Sequence, residues 1–177
     1  QRTERIKQAF REKYVSQDGK VVSGTQSSYA ISLCMDMLDE KTAPKAAEYL
    51  VQDIEQRGNH LSVGFLGVRY LLPALSKYGH HETAYKLLQQ DTFPSWLYQI
   101  KHGATTMWER WDGYTEDGFH KAYKMNSFNH YAYGAVGEWM YRYMAGIEAD
   151  PAHPGFARAI IRPRPGGPIR EVKAVYE

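Results

Sequence analysis

The feature that most constrains this chain is a succession of apolar stripes at helical spacing, each closed by a glycine or turn signal. Ile6, Phe10 and Tyr14 recur every four residues and predict one amphipathic helix over Glu4 to Tyr14, followed by an Asp18-Gly19 turn. Thr25 is placed to cap a second helix with Ala30, Leu33, Cys34, Met37 and Leu38 on its apolar side. Thr42 is placed to cap a third, in which Pro44 fits the first turn, Ala47, Leu50, Val51 and Ile54 face inward, and Gly58 stops the run. Tyr70, Leu71, Ala74, Leu75 and Tyr78 carry the same period to Gly79, with Pro73 implying a kink or a late start. A fifth helix is expected from His81 to Gln89 and a long one from Ser127 to Met144, where Gly134 and Gly137 invite a close neighbour. Short connections between such elements predict antiparallel helical hairpins packed side by side.

The pattern changes after Asp150. Pro151, Pro154, Pro163, Pro165 and Pro168 interrupt helix, while Ala159 to Arg162 and Arg170 to Tyr176 read as short extended segments. Two such strands cannot form a stable sheet alone, so they must pack on the helices or belong to a larger sheet.

Composition excludes several function classes. Lys plus Arg number 22 against 20 Asp plus Glu, a net charge of +2 that gives no polyanion-binding surplus, so nucleic acid is not an expected partner. Cys34 is the single cysteine, which excludes an internal disulfide, a CxxC pair and a cysteine-rich zinc site. The histidines show no HExxH spacing, GxSxG is missing, and the glycines of Gly58 to Gly67 lie too far apart for a phosphate turn. Neither a metal nor a cofactor is expected. No apolar run is long enough to predict a membrane span, and the compartment stays open.

Chemistry concentrates between residues 93 and 143, which hold all four Trp. That enrichment fits either an unusually aromatic core or a cleft in which rings lie against the C–H faces of a sugar. Within it, Trp108-Glu109-Arg110-Trp111-Asp112 sets two indoles among three charges. A short helix begun by Thr105 would put Glu109 and Asp112 on one face. A carboxylate walled by indole suits proton transfer in glycoside hydrolysis, which needs a second carboxylate across the sugar; a plain ion pair of Glu109 with Arg110 or another base is the structural alternative. His130 could donate to or accept from a sugar hydroxyl, or cap a helix. His60 could point from an interhelical loop into a cleft.

His60-Leu61-Ser62-Val63-Gly64-Phe65-Leu66-Gly67, Tyr70 to Leu75, Pro94 to Tyr98, Gly103 to Gly113 and Asn126 to Tyr143 form an ordered series. In it the chain resembles the C-terminal part of bacterial alpha-L-rhamnosidases of glycoside hydrolase family 78. The resemblance implies a mainly α fold, a partial (α/α)6 toroid of antiparallel helical hairpins with a short β segment at the C-terminus. Residues 1–150 would be the second half of the catalytic barrel and residues 151–177 the beginning of a β domain, entered from Phe156. It implies inverting hydrolysis of terminal alpha-L-rhamnosides with Glu109 as general base. His130, Trp108, Trp111, His60 and Asp112 would bind the substrate, a rhamnose-containing glycoside. The family's general acid lies in an Asp-rich segment around an Arg-Asp-Glu-Arg core that these 177 residues do not contain. The chain alone is therefore expected to be inactive, with the N-terminal part of the same enzyme, or a second copy, as its partner. The competing expectation is a helical carbohydrate-binding or interaction module without chemistry.

Overall fold

The structure, a computed structural model, describes residues 2–119 and 125–175. Six α-helices come first: α1 Arg2–Tyr14, α2 Gln26–Cys34, α3 Thr42–Gln56, α4 Phe65–Lys77, α5 His81–Gln89 and α6 Trp96–Lys101. Two-residue strands β1 Tyr114–Thr115 and β2 Gly118–Phe119 pair antiparallel. A helical stretch then passes from a 3-10 turn, Ala132–Ala135, through α7, Val136–Trp139, into a π-helical turn, Met140–Met144. Strands β3 Ile147–Ala149 and β4 Ala159–Ile161 close the series as a second antiparallel pair. The fold is mainly α, built of packed helical hairpins as in part of an (α/α) toroid, with a short β segment near the C-terminus.

Local chemistry explains where the helices begin and end. Thr25 Oγ1 accepts from the Ser28 N–H and caps α2 as expected. Ahead of α3 the capping oxygen belongs to Asp39, whose Oδ1 accepts from the N–H groups of Lys41 and Thr42 at 3.0 and 2.8 Å; Thr42 is already inside the helix. Four helices end alike, with an N–H bonded five residues back: Met37 to Ser32, Asn59 to Ile54, His80 to Leu75 and Ala104 to Gln99. That geometry requires a left-handed residue just before the donor, and Gly58, Gly79 and Gly103 supply it at φ +66, +86 and +83°, with Asp36 at φ 52° after α2.

The core forms where α2, α3, α4 and α5 meet. Ala30 and Leu33, Ala46, Ala47, Leu50 and Ile54, Leu71 and Leu75, and Ala84 and Tyr85 are all buried. Their three- and four-residue spacings put each set on one helical face. Gly67 lets α4 approach α2 closely: a Cβ there would meet Ser27 Cβ at 2.8 Å. Pro73 neither delays nor ends α4, which runs from Phe65 straight through it. Interior proline costs about 3 kcal/mol, and the burial of Leu71, Leu72, Ala74 and Leu75 around it offsets that cost. By contrast α1 buries no residue: Phe10 reaches the edge of the core while Ile6 and Tyr14 stay exposed.

Several expectations require correction. The last helical stretch starts at Ala132, not Ser127, because residues 127–130 are drawn into hydrogen bonds with residues 106–109. Gly137 meets nothing within 4 Å and Gly134 only the Met107 side chain, so neither glycine admits a neighbouring backbone. The partner of the Ala159–Ile161 strand is Ile147–Ala149, a segment its sequence did not mark as extended. Residues 170–175 form no strand, and Tyr176 lies outside the described residues. No helix among the described residues is long and apolar enough to cross a membrane.

The chain after β4 returns to the helices. His81 Nε2 and Tyr85 Oη both reach the Arg164 carbonyl, at 2.9 and 2.8 Å, and Arg164 Nη1 donates to the Ser76 carbonyl at 3.3 Å. The Gly167 N–H meets Glu82 Oε2 at 3.4 Å.

Candidate active site

An open cleft of about 650 Å³ lies where three loops converge. The segment between α3 and α4 contributes Arg57, His60 and Val63, the N-terminus of α4 contributes Phe65, and the turn before α6 contributes Phe93 and Pro94. The segment after α6 contributes Glu109, Arg110, Trp111 and Asp112, with Tyr133 beneath.

Residues 104–113 are not helical, so Thr105 begins no helix and Glu109 and Asp112 do not share a helical face. Tertiary hydrogen bonds replace helical ones. The Glu109 N–H donates to the Ser127 carbonyl at 2.9 Å, the His130 N–H to Met107 at 2.7 Å, and Thr106 Oγ1 to Phe128. Gln99, buried in α6, donates from Nε2 to the Arg110 carbonyl at 3.0 Å, and Asn126 Nδ2 to that of Gly113 at 2.9 Å. The loop is thereby fastened on both sides, and side chains on such a fastened loop hold their aim.

Glu109 is half-buried and its Oε2 accepts from the Ser127 N–H at 2.9 Å. Together with the Glu109 N–H bond to Ser127, this makes a reciprocal two-bond clamp. No described residue donates to Oε1. Arg110 turns to Asp112 instead, in a bidentate fork of 2.9 and 3.1 Å, so the alternative of a Glu109–Arg110 ion pair is not what the loop forms. A carboxylate held by one backbone N–H and otherwise open keeps lone pairs free for a water or a hydroxyl.

The two indoles part company. Trp111 lines the cleft, stacks on Tyr133 at 3.8 Å with planes 9° apart, and donates from Nε1 to the Val63 carbonyl at 2.7 Å. Trp96 stands edge-on to it at 5.3 Å and donates to the Tyr133 carbonyl at 3.0 Å, so the platform is braced from beneath. Trp108 does not line the cleft: it is 5% exposed and packed edge-on against Phe128 and Tyr114. In this structure Trp108 is thus a buried ring and not part of the cleft lining. Burial, with the Asp112 and Glu109 carboxylates adding to it and Arg110 opposing, pushes the Tyr133 phenol up to about 12. Tyr133 stays a neutral ring at physiological pH and offers no competing base.

The histidines differ as well. His60 lines the cleft, but its Nδ1 meets the Arg57 carbonyl and its Nε2 meets Thr92 Oγ1, both at 2.8 Å. Both ring nitrogens are thus engaged in bracing the loop. His130 lies outside the cleft lining; its Nδ1 accepts from the Ala132 N–H at 3.3 Å, and its ring sits 5.7 Å from that of Phe65, which does line it. The structure thus brings Glu109, Trp111, Asp112 and His60 to one cleft, while Trp108 and His130 are not among the residues that line it. Arg57, Phe93 and Tyr133 are cleft residues that the sequence reading passed over; Phe93, 47% exposed beside Pro94, is the one whose exposure the adjoining turn signal could have suggested.

Residues 1–144 match the model of the bacterial alpha-L-rhamnosidase 6 hairpin glycosidase domain. An alpha-L-rhamnosidase from Streptomyces avermitilis is 51% identical over 172 residues, covering 97% of this chain and 16% of that protein. The crystal structure of the Streptomyces avermitilis enzyme complexed with L-rhamnose superposes with a TM-score of 0.89 at 52% identity, over 93% of this chain and 16% of that one. The native alpha-L-rhamnosidase of Aspergillus terreus gives 0.88 at 36% identity, over 93% and 19%. The chain thus spans about a sixth of the length of the curated relative it matches.

Proposed function

The chain belongs to the bacterial alpha-L-rhamnosidase six-hairpin glycosidase family, and from that membership we propose that its cleft receives a terminal alpha-L-rhamnoside, with Glu109 as the general base of an inverting hydrolysis. The observation that carries this reading is the carboxylate of Glu109, which lines a cleft wide enough for a sugar ring, is fixed at Oε2 by the Ser127 N–H and has no described donor at Oε1.

In this reading a water sits between Oε1 and the anomeric carbon. As the water attacks, Oε1 takes its proton while the aglycone leaves from the opposite face of the ring with a proton from a general acid. An inverting pair needs about 6.5–9.5 Å between its carboxyl groups so that the water fits. The Ser127 N–H prevents the base from swinging out of line. Asp112 and Arg110, paired on the same cleft, offer a carboxylate and a guanidinium to the sugar hydroxyls. Trp111, tethered by Val63 and backed by Tyr133, offers the rigid apolar surface a pyranose C–H face requires. The L-rhamnose complexed with the Streptomyces avermitilis relative is consistent with that ligand class.

The general acid is assigned to the part of the enzyme that precedes this region, which would cover the cleft from the other side. Residues 1–150 are assigned to the catalytic barrel and 151–177 to the start of a β domain. The isolated 177 residues are accordingly expected to bind but not to turn over a rhamnoside. The test is Glu109→Gln in a chain extended to the length of its relatives. Turnover of an aryl alpha-L-rhamnoside should fall by about 10²- to 10⁴-fold with L-rhamnose affinity retained, and proton NMR of the unmutated enzyme should show the inverted anomer first. Undiminished turnover in the variant would remove Glu109 from the role. Sugar binding without any turnover in the extended parent chain would favour a carbohydrate-binding module instead.

A further inference from the structure

Resting on the rhamnoside reading above, we infer that Gln26 is a positioning residue for the cleft, its buried amide holding the rim loop that fixes Trp111 beside Glu109. Gln26 opens α2 and is 1% exposed, far in sequence from every cleft residue. Its Nε2 donates to Asp53 Oδ2 at 2.9 Å and to the His60 carbonyl at 3.2 Å, while its Oε1 accepts from the Ser62 N–H at 2.7 Å. A carboxylate and a carbonyl only accept and a backbone N–H only donates, so one orientation of the amide satisfies all three.

Those three bonds reach the cleft by two routes. Val63 follows Ser62 directly, and its carbonyl receives the Trp111 Nε1–H at 2.7 Å. Asp53 Oδ2, besides accepting from Gln26, accepts from Arg57 Nε at 2.9 Å, and Arg57 lines the cleft. Without the amide, the Ser62 N–H and the His60 carbonyl lose their buried partner and must move toward water to regain one. Val63 and the tether of Trp111 would move with them. An apolar residue of equal length could fill the space but could not hold the loop, which distinguishes this role from packing.

The experiment uses the chain extended to the length of its relatives and compares Gln26→Met, Gln26→Asn, Gln26→Glu, and Gln26→Glu combined with Asp53→Asn. Readouts are hydrogen exchange at the Ser62 amide, KM and kcat on an aryl alpha-L-rhamnoside, the Kd for L-rhamnose, and Tm. Gln26→Met should speed exchange at Ser62 and raise KM and Kd about tenfold, with kcat within about threefold of the parent. Gln26→Asn keeps the amide but shortens its reach, and should act in the same direction by about threefold; it decides the matter if Gln26→Met does not fold. Gln26→Glu puts two carboxylates together, and the added Asp53→Asn should relieve it, since the new amide at 53 can donate to the new carboxylate at 26. A folded Gln26→Met variant with the parent's KM and Kd would overturn the proposal, as would a double variant worse than Gln26→Glu alone. A parent chain that neither binds L-rhamnose nor cleaves the rhamnoside would instead sink the rhamnoside reading, while unchanged Ser62 exchange in Gln26→Met would sink the anchor itself.

Discussion

Replacing Ser76 with alanine removes one oxygen and strands two ring nitrogens. Ser76, near the end of α4, is 3% exposed and its Oγ accepts from the Nε1–H of Trp139, itself 1% exposed, at 2.9 Å. The same Oγ lies 2.8 Å from His81 Nδ1, and His81 Nε2 lies 2.9 Å from the Arg164 carbonyl. A carbonyl only accepts, so the neutral ring carries its proton on Nε2, and its Nδ1 accepts from the serine hydroxyl; the tautomer is thus inferred from the partners. An orphaned buried donor costs about 1–3 kcal/mol, and the half-buried Nδ1 adds up to about 1 kcal/mol. Serine and alanine differ too little in volume for packing to matter, so Ser76→Ala should destabilise by about 1–4 kcal/mol, a large share of a typical domain's 5–15 kcal/mol. Denaturant titration measures it directly. The mechanism is isolated by repeating the substitution in a Trp139→Phe background, where the indole N–H no longer needs a partner and the cost should drop by about 1 kcal/mol or more. A loss under about 0.5 kcal/mol, or the same loss in both backgrounds, would refute this account of the network.

Three further outcomes are expected. Gly67→Ala would set a Cβ 2.3 Å from Ser27 Oγ and 2.8 Å from its Cβ, forcing α2 and α4 apart at a cost of about 1–3 kcal/mol; an unchanged melting temperature would show that the helices separate freely. Burial pushes the Cys34 thiol up to about 11, so a thiol reagent at pH 7.5 should label it only as the protein unfolds, and stoichiometric labelling of the native state within minutes would contradict this. Hydrogen bonds from Ser16 and Tyr49 hold the Asp18 carboxyl down at about 2, below its ordinary 3.8. Its contribution to stability is therefore complete above pH 3.8 and disappears as pH falls through about 2, so the stability gap between the parent and Asp18→Asn should close over that interval; a gap that widened on acidification would reverse the argument.

Helix ends were readable where a single residue decides them. Gly58 and Gly79 mark the ends of α3 and α4 because only a left-handed residue lets the next N–H bond back across five residues, and His81–Gln89 follows directly from such a stop. The loop that carries the chemistry was not readable in this way. Thr105 to Gly113 has helical spacing of Glu109 and Asp112, yet backbone bonds from Ser127 and His130 hold it open, and those partners lie a score of residues further on. Trp108 and Trp111 are the same residue three positions apart, and only the rings arriving from Phe128, Tyr114 and Tyr133 make one core and the other cleft. Gln26 follows a capping threonine, where polar residues are ordinary, so nothing near it in sequence distinguishes it from a solvated side chain. The aromatic stretch was legible as a region; the direction each ring faces depends on contacts no local pattern encodes.

The return of the chain to Arg164 has a practical consequence for anyone trimming this protein. The match to the glycosidase domain stops at residue 144, which looks like a natural place to cut. Physically the helical body reaches further: the Arg164 N–H bonds to the Tyr143 carbonyl, and Gly166 lies so close against Tyr85 that a Cβ there would come within 2.5 Å of the ring. A shortened version ending at 144 would open Tyr85 and His81 to solvent from the side that residues 164–167 now cover. Its edge would fray there first, and a version carried beyond Gly167 would keep that seam shut.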